Sequence, residues 1–442
     1  MRGNVAVVTL GCEKNSVDSE VMLGLAAKHG YALVDEPGQA DVIIVNTCAF
    51  IDTAKEESVD MIISMAEHKL KGRCKALLVA GCLAQRYHDE LLQEIPEIDG
   101  LVGTGEFNRI GEVMEAALKG DRPTFVGNPV YIYDEFTPRH GVGSGPSAYV
   151  KIAEGCDHAC TFCIIPALRG KFRSRTIESI TAEAHSLVAC GVKEINLIAQ
   201  DSTQYGLDVY GRRSVPELLM ALNNVEGLEW IRLHYAYPGF FTNDVIDAFS
   251  RLSKVCKYID MPLQHSEDHI LRSMQRPGRQ KHIRSLLARM RERIADVSIR
   301  TSFIVGFPGE TDEDFDNLVS FVREMEFDHV GVFTYSQEEG TASAEFAEQV
   351  ADDVKQRRAN ILMEAAREIA ALRNGRFVGR TVPVLLEGRD ETDQSVYVGR
   401  TPYDAKEIDG VVYVTGKELS IGEVVDVRIT HSFEFDLAGE VF

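Results

Sequence analysis

Three cysteines, Cys156, Cys160 and Cys163, fall within eight residues of the stretch EGCDHACTFCIIPALRG. Thiols packed this closely point to metal or redox chemistry. A closed structural zinc site takes four ligands, and a ferredoxin-type four-iron cluster likewise expects four thiolates. Here there are three, with no fourth cysteine nearby, and His158 in the same tight turn is awkwardly placed to close the set. A three-thiolate site leaves one metal position open. That is useless to a scaffold and valuable to a catalyst, because a substrate can chelate there.

A second trio is assembled over long range. The apolar runs NVAVVTL, DVIIVNT and KALLVAG are separated by stretches of helical periodicity such as DSEVMLGLAAKHG, and each leads into a cysteine: Cys12, Cys48 and Cys82. Such alternation predicts an open, mostly parallel sheet. Ligands of open α/β sheets gather beyond the carboxyl ends of strands, so these three cysteines converge on one edge. Cys74, Cys190 and Cys256 lie outside both patterns. They are read as buried structural thiols, the common state of free cysteine.

The other elements position these sites. A domain over residues 1–122 carries the first trio. Residues 123–146, rich in Gly and Pro without helical or alternating pattern, read as a linker. Over residues 147–375 come six apolar runs, AYVKIAEG, EINLIAQD, WIRLHYAYP, YIDMPLQH, RTSFIVGFPG and HVGVFTYS, separated by helical segments. They predict a partial (βα)6 barrel, two units short of closure, with a doubly wound sheet as the alternative. Barrel enzymes place their chemistry where these runs end. In GETDEDFDNLVSFVREMEF, Thr311 caps a helix whose apolar face is Phe315, Leu318, Val319, Val322 and Met325. A long helical stretch, ADDVKQRRANILMEAAREIAALRNG, closes this domain. Residues 376–442 turn to short strands and predict a small antiparallel β-barrel, with Val427 to Phe433 alternating as an edge strand does.

The totals bound the class. The chain has 442 residues, 45% apolar and 26% charged, which suits two or three soluble domains and neither disorder nor a stapled scaffold. The opening MRGNVAVVTLGCEKN holds an apolar run too short for a signal peptide. No window approaches the roughly 18 apolar residues of a membrane span. A cytoplasmic location is expected, where nine cysteines serve metal or redox chemistry rather than disulfides. The net charge of −21 suits a basic partner better than a phosphate backbone, although solubility alone also accounts for it.

Cys-x3-Cys-x2-Cys at the end of the first barrel strand resembles the radical S-adenosylmethionine superfamily. The resemblance implies a 4Fe–4S cluster on Cys156, Cys160 and Cys163 whose open iron chelates S-adenosylmethionine, and reductive cleavage to a 5′-deoxyadenosyl radical. GFPGET (Gly306 to Thr311) lacks the Gly-Lys-Ser/Thr of a phosphate loop and resembles the segment beside the bound adenosylmethionine. Gly306, Pro308, Gln200 and Arg232 are the pocket candidates. Asp201 and His234 read equally as pocket or as satisfied rim residues.

The chain as a whole resembles the methylthiotransferases, which have an auxiliary 4Fe–4S domain, a radical core and a C-terminal TRAM barrel. LGCEKN (Cys12), NTCAF (Cys48) and AGCLAQR (Cys82) match the auxiliary-cluster ligands. The reaction implied is insertion of a methylthio group at a C–H bond. One S-adenosylmethionine is the methyl donor and another the radical source, with electrons from a flavodoxin- or ferredoxin-type donor.

Two branches of that family differ in substrate, one modifying transfer RNA. The other, the RimO type, modifies the β-carbon of an aspartate in small-subunit ribosomal protein twelve. An RNA-binding barrel should be basic, yet residues 376–442 hold seven Lys+Arg against thirteen Asp+Glu, a net of −6. CTFCIIPALRGKFRSR, GRTPYDAKEIDGVVYVTG and FDLAGEVF also resemble the RimO type, which implies the ribosomal protein as partner, no direct transfer-RNA substrate and no membrane. The alternatives are a transfer-RNA adenosine methylthiotransferase, a non-catalytic two-cluster electron carrier and a zinc-stabilised RNA-binding protein. Iron analysis and cleavage of S-adenosylmethionine separate them.

Overall fold

The computed structural model describes residues 2–141, 145–276 and 278–441. Its first domain contains β1 (Asn4–Thr9), α1 (Glu13–Lys28), β2 (Ala32–Leu33), β3 (Val42–Thr47), α2 (Asp52–Lys71), β4 (Ala76–Gly81), α3 (Cys82–Arg86), α4 (His88–Glu94), β5 (Ile98–Val102), α5 (Ile110–Ala117) and β6 (Thr124–Phe125). The strands form a parallel sheet in the order β2-β1-β3-β4-β5-β6. Every residue of β3 and β4 is buried, as parallel strands covered by helices on both faces must be. That is why these runs read as uninterrupted hydrophobics.

The central domain follows with β7 (Ser147–Lys151), β8 (Ala153–Glu154), α6 (Ile165–Arg169), β9 (Arg173–Ser174), α7 (Ile177–Ala189), β10 (Glu194–Ile198), α8 (Leu207–Tyr210), α9 (Val215–Asn223), β11 (Trp230–Leu233), α10 (Asn243–Arg251), β12 (Tyr258–Asp260), α11 (Asp268–Ser273), α12 (Gln280–Arg293), β13 (Ser298–Val305), α13 (Asp312–Met325), β14 (His329–Thr334) and α14 (Asp352–Gly375). Two parallel three-stranded sheets, β7-β10-β11 and β12-β13-β14, are stitched together by Ile231 N–H to the Lys254 carbonyl at 2.8 Å and Ala236 N–H to the Asp260 carbonyl at 2.8 Å. The six strands therefore stand in sequence order. A partial barrel does this and a doubly wound sheet, whose order reverses, does not.

Thr311 caps α13 in a reciprocal capping box with Asp314, worth about 1 kcal/mol. The expected face of that helix is turned inward: Phe315, Leu318 and Val322 are buried in the barrel core, and Val319 and Met325 pack against it.

The final domain, β15 (Thr381–Arg389), β16 (Tyr397–Arg400), β17 (Val412–Thr415), β18 (Val424–Ser432) and β19 (Leu437–Glu440), is a closed barrel in the order β15-β16-β17-β19-β18. It differs from expectation in two ways. β18 pairs with both β15 and β19, so the alternating run is no edge. One pairing, β17 with β19, is parallel. Closure removes the unpaired edge that an isolated alternating strand would expose.

This small barrel seals the amino-terminal end of the larger one. Glu194, Tyr258 and His329 each open a barrel strand and meet residues 400–409. Glu194 is clamped between Arg232 (2.9 Å) and Arg400. The Tyr258 hydroxyl donates to Asp409 at 2.6 Å, and His329 Nε2 lies 3.1 Å from the Tyr403 carbonyl.

Two further expectations are revised. The 123–146 stretch is no slack tether: Thr124–Phe125 adds a strand, Tyr133 is buried, and Arg139 joins Glu20 to Glu183 (residues 142–144 lie outside the described set). Cys74 and Cys256 are buried as expected, but Cys190 is exposed. It caps the carboxyl end of α7, where the chain turns outward at Gly191.

Candidate active site

The first cysteine trio is built by two glycines. At Gly81 (φ +94°) a Cβ would lie 2.5 Å from Asn46 Oδ1 and 2.6 Å from the Thr47 carbonyl oxygen. Only glycine lets the chain turn there and start α3 with Cys82. At Gly11 (φ +89°) a Cβ would lie 2.8 Å from the Cys48 Cβ and 3.2 Å from its Sγ, which puts the Cys12 turn directly against Cys48. Asn15 ties the two loops by donating to the carbonyls of Leu10 (2.8 Å) and Thr47 (3.1 Å). Burial pushes the Cys48 thiol up and the Cys82 thiol up to about 12, each raised further by the neighbouring trio sulfurs. Thiols held this way ionise when a metal replaces the proton.

The second trio lies on the loop after β7 and β8. Cys156 N–H donates to the Gly170 carbonyl (3.1 Å), Thr161 N–H to the Met274 carbonyl (3.2 Å) and Cys163 N–H to the Cys160 carbonyl (3.1 Å). Burial pushes Cys156 up to about 11 and Cys163 up to about 12. His158 turns away to Asp201, with Nε2 2.6 Å from Oδ2, and stacks on Tyr237 at 4.0 Å. It is therefore committed elsewhere and does not complete a four-ligand set.

The first domain packs on the end of the barrel that carries the second trio. Lys14, two residues after Cys12, places its ammonium 3.3 Å from the ring centre of Tyr235 at the barrel mouth. Asp18 of α1 accepts from Lys151 of β7 and, at 2.8 Å, from Arg169 of α6. Arg86 and Lys55 reach Glu338 at 2.8 and 2.9 Å. The first domain thus caps the carboxyl end of the barrel.

Comparison with known proteins agrees with this geometry. Residues 4–103 match the uncharacterized protein family UPF0004, 150–322 the radical SAM superfamily and 378–442 the TRAM domain. The chain is 50% identical over 440 residues to the ribosomal protein uS12 methylthiotransferase RimO of Desulforamulus reducens, covering 99% of each. It is 48% identical to the protein of that name from Geobacter sulfurreducens, covering 99% of this chain and 98% of the other. The chain belongs to the uS12 methylthiotransferase family. Among solved structures, the radical S-adenosylmethionine methyltransferase TsrM of Kitasatospora setae has a TM-score of 0.56 at 16% identity, covering 76% of this chain and 75% of that one. At that identity the likeness is one of fold.

Members of this radical enzyme family use S-adenosylmethionine and two 4Fe–4S clusters, and this chain's residues fit those groups. A tetrahedral zinc at about 2.3 Å from each thiolate would bring sulfurs to within roughly 4 Å of one another. Among the described residues, the group whose ligand atoms all lie within 4.8 Å is Glu267, His269 and Asp314. Neither cysteine trio is that tight. Around the barrel mouth, Gln200 Oε1, Ser202 Oγ and Tyr237 Oη are buried without hydrogen-bond partners. Orphaned polar atoms of this kind call for a ligand rich in donors and acceptors.

The pocket candidates separate. Gln200 lies two residues past β10, with its amide donating to Glu154 at 2.6 Å and its oxygen free. Gly306 and Pro308 lie at the end of β13, where the Gly306 N–H donates to Glu310 at 2.7 Å. Asp201 braces His158, and buried His234 is held neutral, its pKa lowered to about 4 by burial. Arg232 stands apart. Its nitrogens go to Glu194, Pro402 and Thr401 in the seam with the small barrel. A strand's middle residue points to a face that its pattern alone does not identify. Sequence reasoning also missed Asn15, Asp18, Lys151, Glu154 and Arg169, whose one signal was charge and amide character flanking the cysteines.

Proposed function

We propose that this chain inserts a methylthio group at the β-carbon of an aspartate in small-subunit ribosomal protein uS12, in the cytoplasm, with a flavodoxin- or ferredoxin-type electron donor. The division follows 1–122, 147–375 and 376–442, with 123–146 between them. Cys156, Cys160 and Cys163 hold the cluster that cleaves S-adenosylmethionine, and Cys12, Cys48 and Cys82 hold the auxiliary cluster. Bound there, the clusters and two molecules of S-adenosylmethionine supply the radical, the methyl group and the site of sulfur attachment. What supports this reading is two groups of three cysteines, one in the first domain and one at the barrel mouth which that domain caps, in a chain half identical to named uS12 methylthiotransferases.

The protein's own residues bind, orient and exclude. Gln200 Oε1, free of any internal partner, suits an ammonium group, and Gly306 and Pro308 suit the wall beside the adenosyl portion. The first domain roofs the barrel mouth and the small barrel closes its floor, so water is kept from a radical. The acidic small barrel, net −6 over 376–442, suits a basic protein and repels RNA.

Cysteine variants in an anaerobic turnover test the assignment. Cys160→Ala is expected to abolish 5′-deoxyadenosine. Cys48→Ala is expected to keep it and lose the methylthio product. Wild-type rates of 5′-deoxyadenosine from Cys160→Ala would refute the radical-site assignment.

A further inference from the structure

Arg169 is buried, 2% exposed, at the end of a five-residue helix that begins two residues beyond Cys163. A guanidinium placed out of water must be held by charge and by filled hydrogen bonds. Nη1 donates to Asp18 at 2.8 Å and Nη2 to Asn15 at 2.6 Å, both on the helix that starts after Cys12. Asn15 in turn donates to the carbonyls of Leu10 and Thr47, in the loops that carry Cys12 and Cys48, and the positive charge of the group lowers the Cys82 thiol against the effect of burial. The next residue, Gly170, accepts the N–H of Cys156. A single strap of chain thus leaves one ligand of the second trio, sets a guanidinium against the helix that follows Cys12, and returns to brace another ligand of the second.

The surrounding charges define what Arg169 is for. The carboxylates of Asp18 and Glu154 are balanced by Lys151 and Arg169 themselves. Three thiolates arriving with a cluster add negative charge, and Arg169 is a buried cation already tied through Asn15 to the loops that carry two of them. Hydrogen bonds and positive charge at cluster sulfurs raise the reduction potential and retain the cluster.

We infer that Arg169 is the positioning residue of the auxiliary site: through Asn15 its guanidinium holds the loops of Cys12 and Cys48 together, its charge sets the auxiliary potential, and the strap 163–170 ties the two cysteine trios to each other. This rests on reading Cys12, Cys48 and Cys82 as a cluster site.

The test uses the full-length chain, reconstituted anaerobically, in two backgrounds. One replaces Cys156, Cys160 and Cys163 by Ala and leaves the auxiliary site alone. The other replaces Cys12, Cys48 and Cys82 and leaves the radical site alone. Each is combined with Arg169→Gln and Arg169→Lys, and midpoint potentials are read by electron paramagnetic resonance. Arg169→Gln is expected to lower the auxiliary potential, leave the radical-site potential unchanged, and speed iron loss to a chelator by about 10- to 100-fold. Arg169→Lys is expected to restore most of the potential.

An auxiliary potential unmoved by Arg169→Gln in a fully loaded protein overturns the inference. So does Arg169→Lys failing to load as badly as Arg169→Gln, because shape rather than charge is then what matters. If the background that keeps Cys12, Cys48 and Cys82 holds no four-iron cluster even with Arg169 intact, the cluster reading itself falls, a result distinguishable from the other two.

Discussion

Removing Arg400 should loosen the small barrel from the floor of the large one. Its guanidinium is 1% exposed. It pairs with Glu194, reaches both oxygens of Glu387 at 2.7 and 2.8 Å, and donates to the Asp404 carbonyl at 2.9 Å. Breaking a buried pair by deleting one partner costs about 3–5 kcal/mol. In Arg400→Met, Glu194 keeps Arg232 at 2.9 Å, which places the cost near the lower bound, about 3 kcal/mol. That is roughly a hundredfold in the opening equilibrium of the seam. Hydrogen exchange of β15, β16 and the barrel-strand starts reads it directly, and is preferable to a melting temperature in a three-domain chain that need not unfold in one step.

The pH dependence has a definite sign. Burial raises the Glu194 carboxyl, but Arg400 and Arg232 outweigh it and hold it well below the usual range. A carboxyl with a lowered folded pKa contributes stability above its unfolded value, about 4.3, and loses it as pH falls through the folded one. Seam protection, corrected for intrinsic exchange, should therefore stay level from about pH 8 to 5 and fall only below about pH 4. In Arg400→Met the folded carboxyl is less depressed, so the fall should be shallower and end at higher pH. Protection within threefold of the parent at neutral pH would refute the reasoning.

Three other outcomes follow from the same geometry. Gly81→Ala forces a Cβ into Asn46 and Thr47 at a strained φ; iron per chain should fall by half while cleavage of S-adenosylmethionine persists, as iron analysis and 5′-deoxyadenosine yield will show. Gln200→Leu removes the free acceptor at the barrel mouth and should weaken S-adenosylmethionine binding by about 10- to 100-fold, as a hydrogen bond to a charged group is worth about 1.5–3 kcal/mol; calorimetry checks it. Thr311→Ala breaks the capping box of α13 and should cost about 1 kcal/mol in denaturant titration with turnover unchanged.

The strands and both cysteine trios were legible because each rests on a local signal. β3 and β4 are continuous apolar runs, and each trio cysteine of the first domain follows such a run at once. The small barrel was read as a barrel, but the place of β18 within it was not legible. Whether β18 is an edge depends on β15, some forty residues away, and not on its own alternation. Arg232 misled for a related reason: the run WIRL fixes a strand but not what lies beneath it, and here a loop from residues 400–409 fills that space. Arg169 was invisible because its partners, Asn15 and Asp18, are about 150 residues distant and only the packed domains bring them together. The exposed Cys190 shows the converse, that an apolar-looking helix does not specify the burial of the residue that caps it.

The central claim is best tested by an anaerobic reaction offering uS12 and unmodified transfer RNA together to the reconstituted enzyme with S-adenosylmethionine and a reductant, followed by mass spectrometry of both. A methylthio adduct on an aspartate of uS12, with none on the RNA, is the predicted result. An adduct on the RNA alone would keep the fold and both clusters and contradict the substrate.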